Sequence, residues 1–343
     1  MSERLHIVNC AELADSGWTF LKEPLADLPL DWSFFSAVPR TALERWIRRP
    51  NLARVRCAWA AASNAARHPG SVIISHLPRT TLWLSLFCWL RGIESKHIAF
   101  AFNFTELPTG FNRWLMRSAF KRVDRFVVYS TVERSLYADY FGIEPDRLDF
   151  LPWVMETPRA SELPFVGGQY ICAVGGEGRD YDTLVEAVRG MPHIPTVIVT
   201  RSYNAPRAPL PPNVTLFTEL RLDDFWNVVK HCRFMVVPLR DSQTNCGHIT
   251  IVGGLQLGRP IVATASRGIE DYVKSDTNAL VVAPSKPADL AEAIGRLWAD
   301  PLLYGKLQTA IAEGIGSRRS ESAWTDYLRR QFARITNPRD SLT

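Results

Sequence analysis

Asn245-Cys246-Gly247-His248-Ile249-Thr250-Ile251-Val252-Gly253-Gly254-Leu255-Gln256-Leu257-Gly258-Arg259-Pro260-Ile261-Val262-Ala263 is the stretch on which the reading of this chain turns. A strand-like run, Phe234–Val237, precedes it and ends at Pro238. A glycine-bearing loop then opens a helix expected over Thr250–Leu257. Gly258 stops that helix, and Pro260–Ala263 follows at once as another strand. Strand, loop, helix and strand in this succession make the repeating unit of a parallel sheet. The loop–helix junction also has a chemical use. Amides at a helix start, here around Ile249 and Thr250, have no intrahelical acceptor, and the helix dipole adds positive potential. A diphosphate is the favoured occupant. The Thr250 hydroxyl adds a donor, and Gly247 allows close backbone approach. A simple N-cap and turn glycine would give the same spacing.

The same alternation extends in both directions. Downstream come a short strand at Ala279–Val282 and helices at Ala288–Trp298, Tyr304–Ile315 and Glu321–Ile335. Upstream are strands at Tyr170–Val174, Thr196–Thr200 and Val214–Phe217, with helices at Tyr181–Arg189 and Leu222–His231. Leu151–Gly168 is rich in Pro and Gly, lacks periodicity, and reads as a linker. Before it, strands at Leu5–Cys10, Trp32–Phe35, Ser71–Ser75, His97–Phe102 and Arg125–Tyr129 alternate with helices at Trp18–Leu25, Thr41–His68 (a basic stretch open to interruption at Pro50), Thr80–Arg91, Phe111–Arg122 and Thr131–Phe141. The expected organisation is an α/β domain over residues 1–155, a second over 165–320, and a final helix in 321–343 that crosses back to the first.

At 343 residues, 46% hydrophobic and 22% charged, the chain is sized for two ordinary globular cores. Its six cysteines form no CxxC pair, which argues against a zinc site or disulfide framework and for a reducing compartment. The N-terminus lacks a signal-peptide layout, and the longest apolar run, Leu82–Leu90, is too short to span a bilayer. Charge is unevenly placed. Between Arg40 and Arg125 fifteen Lys and Arg face four acids, a local net of +11 in a chain whose total is +5. Such a field attracts anions.

Helix, Gly258-Arg259-Pro260, strand, then Ser266-Arg267-Gly268-Ile269-Glu270-Asp271-Tyr272-Val273 resembles the donor-binding region of family 4-like glycosyltransferases with the GT-B fold, the glycosyl transferases group 1. Val174-Gly175-Gly176-Glu177-Gly178-Arg179-Asp180-Tyr181-Asp182-Thr183-Leu184 resembles that family's segment between the first strand and helix of the donor domain, with Arg179 at the place of the usual lysine. Residues 170–335 carry the resemblance, and the first half shares it in outline. It implies two Rossmann-like domains facing across a cleft, and a nucleotide-sugar as donor. It also implies retention of anomeric configuration and no metal or other cofactor. Implied donor-binding residues are Gly175, Arg201, Asn245, Gly247, His248, Ile249, Thr250 and Glu270. The family's Glu-x7-Glu pair, one contacting sugar and one ribose, is replaced by Asn245 and Gly253. Its arginine before the lysine is replaced by Gly176, leaving Arg179 alone or joined by Arg201.

Arg179 is expected to pair with the charge that builds on a departing nucleoside diphosphate. Asp180-Tyr181-Asp182 matches a metal-binding pattern, but a helix entrance suits it better as capping carboxylates. In the first half, His76 ends a strand and is a candidate sugar contact or general base. Asn103 and Glu106 end the next strand, where they are candidates to orient hydroxyls or bind acceptor; turn formation is the plainer role. Arg113, Arg117 and Lys121 share one helix face and, with Arg45, Arg48, Arg49, Arg54 and Arg56, could meet acceptor or an anionic membrane. No nucleic-acid motif accompanies the charge. The expectation is therefore a cytoplasmic hexosyltransferase-type enzyme, peripheral on the inner membrane face, moving sugar to a glycan or lipid-linked acceptor, with His76 and Asn103 brought over the sugar by domain closure. Two alternatives stay open: a non-catalytic GT-B homologue serving as a binding subunit, and a nucleotide-sugar epimerase.

Overall fold

The computed structural model describes residues 4–11, 21–47, 51–240, 246–318 and 322–336. The chain forms two compact units, Met1–Leu151 with Ser322–Thr343, and Pro152–Glu321.

The first unit runs β1 (Leu5–Ala11), β2 (Leu30–Ser36), α1 (Ala42–Trp46), α2 (Leu52–Arg67), β3 (Val72–His76), α3 (Pro78–Leu90), β4 (Lys96–Phe100), α4 (Gly110–Phe120), β5 (Arg125–Val128), α5 (Thr131–Phe141) and β6 (Leu148–Phe150). Its sheet has the order β2-β1-β3-β4-β5-β6, with every pairing parallel. Apolar strands covered by helices on both faces are what a parallel sheet requires. One core packs Ala58, Ala61 and Ala62 of α2 against Val8 and Ile73. The other is an aromatic cluster of Phe102, Phe120, Phe126, Tyr137 and Phe141.

The second unit runs β7 (Ile171–Val174), α6 (Tyr181–Arg189), β8 (Thr196–Thr200), β9 (Val214–Thr218), α7 (Leu222–His231), β10 (Met235–Val237), α8 (His248–Gln256), β11 (Ile261–Thr264), β12 (Ala279–Val282), α9 (Pro287–Ala299) and α10 (Pro301–Arg318). The order β12-β11-β10-β7-β8-β9 is again parallel throughout. The last helix, α11 (Ser322–Thr336), belongs to the first unit: Arg329 pairs with Asp27 at 2.6 Å and the Tyr327 hydroxyl donates to Asp149 at 2.7 Å.

Two Rossmann-like α/β units are thus observed, as the alternation of strands and helices led one to expect. Some boundaries differ. The helical stretch expected over 41–68, left open to a break at Pro50, divides into α1 and α2, each with its own cap: Thr41 and Glu44 form a capping box, and the Asn51 side chain accepts from the Arg54 amide. Residues 18–20 of an expected helix lie outside the described residues; a short 3-10 turn at Glu23–Leu25 remains. Strand β6 has no counterpart in the sequence reading. It is three residues long with a central Asp149, too short to show alternation. Helix α8 starts two residues earlier than expected, because Gly247 caps it in the left-handed region at φ 88°.

Candidate functional site

In the second unit the chain leaves β7 toward β8 and β9, then returns to the opposite side of β7 as β10. The carboxyl ends of β7 and β10 therefore flank a topological switch point, where loops diverge and leave a crevice. Two segments meet there. The loop after β7 carries Gly175 to Arg179, and the segment after β10 leads to the start of α8. They are tied by backbone: the Asp180 amide donates to Pro238 O at 2.8 Å, and the Arg240 amide to Gly178 O at 2.9 Å.

Arg179 lies at this junction and is 3% exposed. It donates through Nε to Val174 O at 3.3 Å, through Nη1 to Glu177 O at 2.7 Å, and through Nη2 to Thr250 Oγ1 at 2.6 Å. All three acceptors are neutral, and among the described residues no carboxylate pairs with it. A buried cation balanced only by dipoles leaves a positive potential that an anion would complete. Thr250 in turn donates to Gly247 O at 2.9 Å. No side chain caps α8, so the Ile249 and Thr250 amides of its first turn have no intrahelical carbonyl to bind. One guanidinium, one hydroxyl and a helix N-terminus thus converge, which is chemistry for a phosphate group.

The glycines of this junction are steric necessities. Gly175 sits at φ 126°, and a Cβ there would fall 2.6 Å from Arg179 Nη2. The Tyr181 hydroxyl fixes the turn by donating to Gly175 O at 2.6 Å, a role sequence reasoning missed although Tyr181 begins the next helix. At Gly178 a Cβ would meet Cys246 Sγ at 2.7 Å.

The other donor-side candidates are distributed as follows. Ile249 is 43% exposed, whereas His248 is buried. The His248 ring stands edge-on to Trp153 and lies 6.1 Å from the Tyr272 ring. Burial first, and then the Arg179 charge, push its pKa down to about 4, which keeps the imidazole neutral. Glu270 is exposed and borders a cavity of about 290 Å³ with Trp153, Val252, Tyr272 and Lys274. Asn245 lies outside the described residues. Arg201 lies apart from the Arg179 junction's hydrogen bonds. Its guanidinium is spent on an exposed pair with Glu219 at 2.6 Å, while its stem covers Gly176, whose Cβ would meet Arg201 Cγ at 2.7 Å. Asp180 caps α6 through the Thr183 amide at 3.2 Å, and Asp182 accepts from the Arg207 amide at 2.7 Å. Gly253, where the resemblance leads one to expect a glutamate, is packed against Trp226: a Cβ would lie 2.2 Å from the indole.

In the first unit the surroundings of His76 bear on its expected role. It ends β3, but its ring is fully buried, with Nε2 2.7 Å from Asn9 Oδ1. Burial lowers its pKa to about 3, so it is a poor proton acceptor near neutrality. Asn103 is half-buried between the core residues Phe102 and Phe104, and Glu106 is exposed beyond them. The α4 basic face turns toward α5. Arg113 stacks on the Tyr140 ring at 3.9 Å and donates to Tyr140 O at 3.0 Å, and the Arg117 guanidinium lies against Gly142. Both arginines serve the carboxyl end of α5, where a helix prefers cations. Lys121 is exposed at the end of α4.

Residues 176–300 match the sequence model of the family described as Glycosyl transferases group 1. No curated protein matches the chain by sequence. Among solved structures, sucrose-phosphate synthase from Thermosynechococcus elongatus is similar at 16% identity and TM-score 0.69, over 98% of this chain and all (100%) of that one. A glycosyltransferase from Rickettsia africae gives 13% and 0.71 over 98% and 100%. HepE from Anabaena, solved with UDP-glucose, gives 12% and 0.65 over 98% and 99%. At such identities the likeness is one of fold. No described helix is long and apolar enough to cross a membrane. Residues 176–300, which hold Arg179 and the start of α8 at the switch point, are thus similar to the glycosyl transferases group 1, and the two parallel six-stranded sheets are those of the GT-B fold.

Proposed function

We propose that the protein transfers a sugar, of hexosyl type, from a nucleoside diphosphate sugar to a glycan or lipid-linked acceptor, with retention and without a metal. The observation that carries this reading is the buried Arg179, without an acid partner among the described residues, beside the start of α8, which no side chain caps. HepE's complexes with UDP and with UDP-glucose support a nucleotide-sugar as donor. As the bond between the sugar and the β-phosphate breaks, negative charge gathers on the departing oxygen. Arg179 and the Ile249 and Thr250 amides are positioned donors for that charge, which a water-poor site makes more effective. One such donor is worth about 3 kcal/mol in rate. The acceptor is assigned to the first unit, and the setting to the cytoplasmic side, peripheral on the membrane.

A second reading, a binding subunit without activity, draws on one observation: Trp226 fills the space beside Gly253, so no carboxylate stands there. Thermal melting with UDP, GDP, ADP and CDP in EDTA tests the first step. A rise in melting temperature with at least one of them is expected; no rise with any of them removes the nucleotide site. Product analysis with the matching nucleotide-sugar then separates a transferase from a binding subunit, which would release no nucleoside diphosphate.

A further inference from the structure

Four tryptophans are exposed among the described residues, Trp46, Trp59, Trp89 and Trp114, and all belong to the first unit, at 82%, 47%, 54% and 60% exposure. Two of them, Trp46 and Trp59, belong to one surface formed by α1, α2 and α3. Leu43, Leu52, Val55, Trp59 and Phe87 line an apolar trough of about 500 Å³ there. Trp46 ends α1 beside it, and Leu90, 65% exposed, ends α3. The one acid in the trough wall, Glu44, is neutralised by Arg56 at 2.6 Å. An arginine rims the aromatics: Arg91 lies 4.4 Å over the Trp59 ring. Among the described residues no acid pairs with Arg45 or Arg91.

Exposed apolar surface of this extent marks an interaction site. Its composition selects the partner. Tryptophan prefers the headgroup level of a bilayer, with its body in hydrocarbon and its N–H in water. Unpaired arginines in a segment of net charge +11 favour anionic phosphates. We propose that this face of the first unit docks on an anionic lipid bilayer. Trp46 and Trp59 enter the headgroup level, the trough takes hydrocarbon, and Arg45 and Arg91 meet lipid phosphates. The α4 arginines are not part of it, since they serve α5. The proposal does not depend on the nucleotide site.

Co-sedimentation of the full chain with vesicles tests it, comparing phosphatidylcholine alone with phosphatidylcholine mixed with phosphatidylglycerol. Binding to the mixed vesicles is expected, at least about tenfold tighter than to neutral ones and weakened by salt. The double substitution Arg45→Glu with Trp46→Ser, both at exposed positions, lowers the partition coefficient by at least about tenfold, with circular dichroism unchanged. Leu302→Ser, in the second unit and 85% exposed in the wild type, leaves it unchanged. Failure of the wild type to bind the mixed vesicles, equal binding by the double variant, or a lipid-free dimer that the double variant abolishes would overturn the proposal.

Discussion

At Arg179 burial and charge oppose each other. Desolvation penalises a cation, and among the described residues two carbonyls and one hydroxyl answer it. An anion at the start of α8 relieves that tension, so Arg179→Ala is expected to weaken nucleoside diphosphate binding at least about tenfold. Isothermal titration checks this, with a melting curve to show that the fold persists; unaltered affinity would take Arg179 out of the site. Gly175 is bound to the same geometry. Gly175→Ala places a methyl 2.6 Å from Nη2 at a φ of 126°. It should cost about 1–3 kcal/mol of stability by denaturant titration and displace the guanidinium. Sequence patterning singled out both residues, but the reason for Gly175 was not legible there, since it depends on where the Arg179 side chain folds back. Arg201 shows the converse. Its position after a strand suggested a phosphate contact, and only the fold reveals Glu219 across from it.

Among the elements, α8 shows how one helix face can be read and another missed. Its amino end, Gly247 to Thr250, follows from glycine, helix pattern and strand succession, all local signals. Its packing face does not. Gly253 and Gly254 let α8 approach Trp226 of α7 and Met235 of β10, at distances no Cβ tolerates. Gly253→Glu, which restores the residue type usual in the resemblance, is therefore expected to destabilise the protein by about 3 kcal/mol or more. Adding Trp226→Ala should recover part of that loss, because the two side chains compete for one space. A double-mutant cycle by chemical denaturation measures the coupling; strictly additive losses would contradict it. Helix α4 gives the same lesson, since the spacing of Arg113 and Arg117 is visible in sequence while the α5 terminus they face is not.

For the whole molecule, buried titrating groups set the response to pH. His76, His97 and His248 have pKa values lowered from 6.5 to about 3, 4 and 4, chiefly by burial. Between pH 6.5 and about 4 the unfolded chain binds more protons than the native one, so stability falls as pH falls through that window. Glu133 acts oppositely. Burial raises its pKa from 4.5 to about 7, the native state binds the extra proton, and its contribution declines as pH rises across that interval. Relative to wild type, Glu133→Gln should thus be more stable at pH 8 than at pH 5, by about 2–3 kcal/mol in urea titrations. A pH-independent difference would show that Glu133 does not titrate there. The sequence by itself determined the α/β class, the strand–helix succession and the glycine-opened start of α8, because periodicity, glycine and proline act over a few neighbouring residues. Only the tertiary structure decided that β7 lies next to β10, that Arg179 turns onto Thr250, that His76 is sealed from water and that Trp226 occupies the space beside Gly253. Those outcomes depend on contacts between segments distant in the chain, whose register and side-chain direction no local pattern encodes.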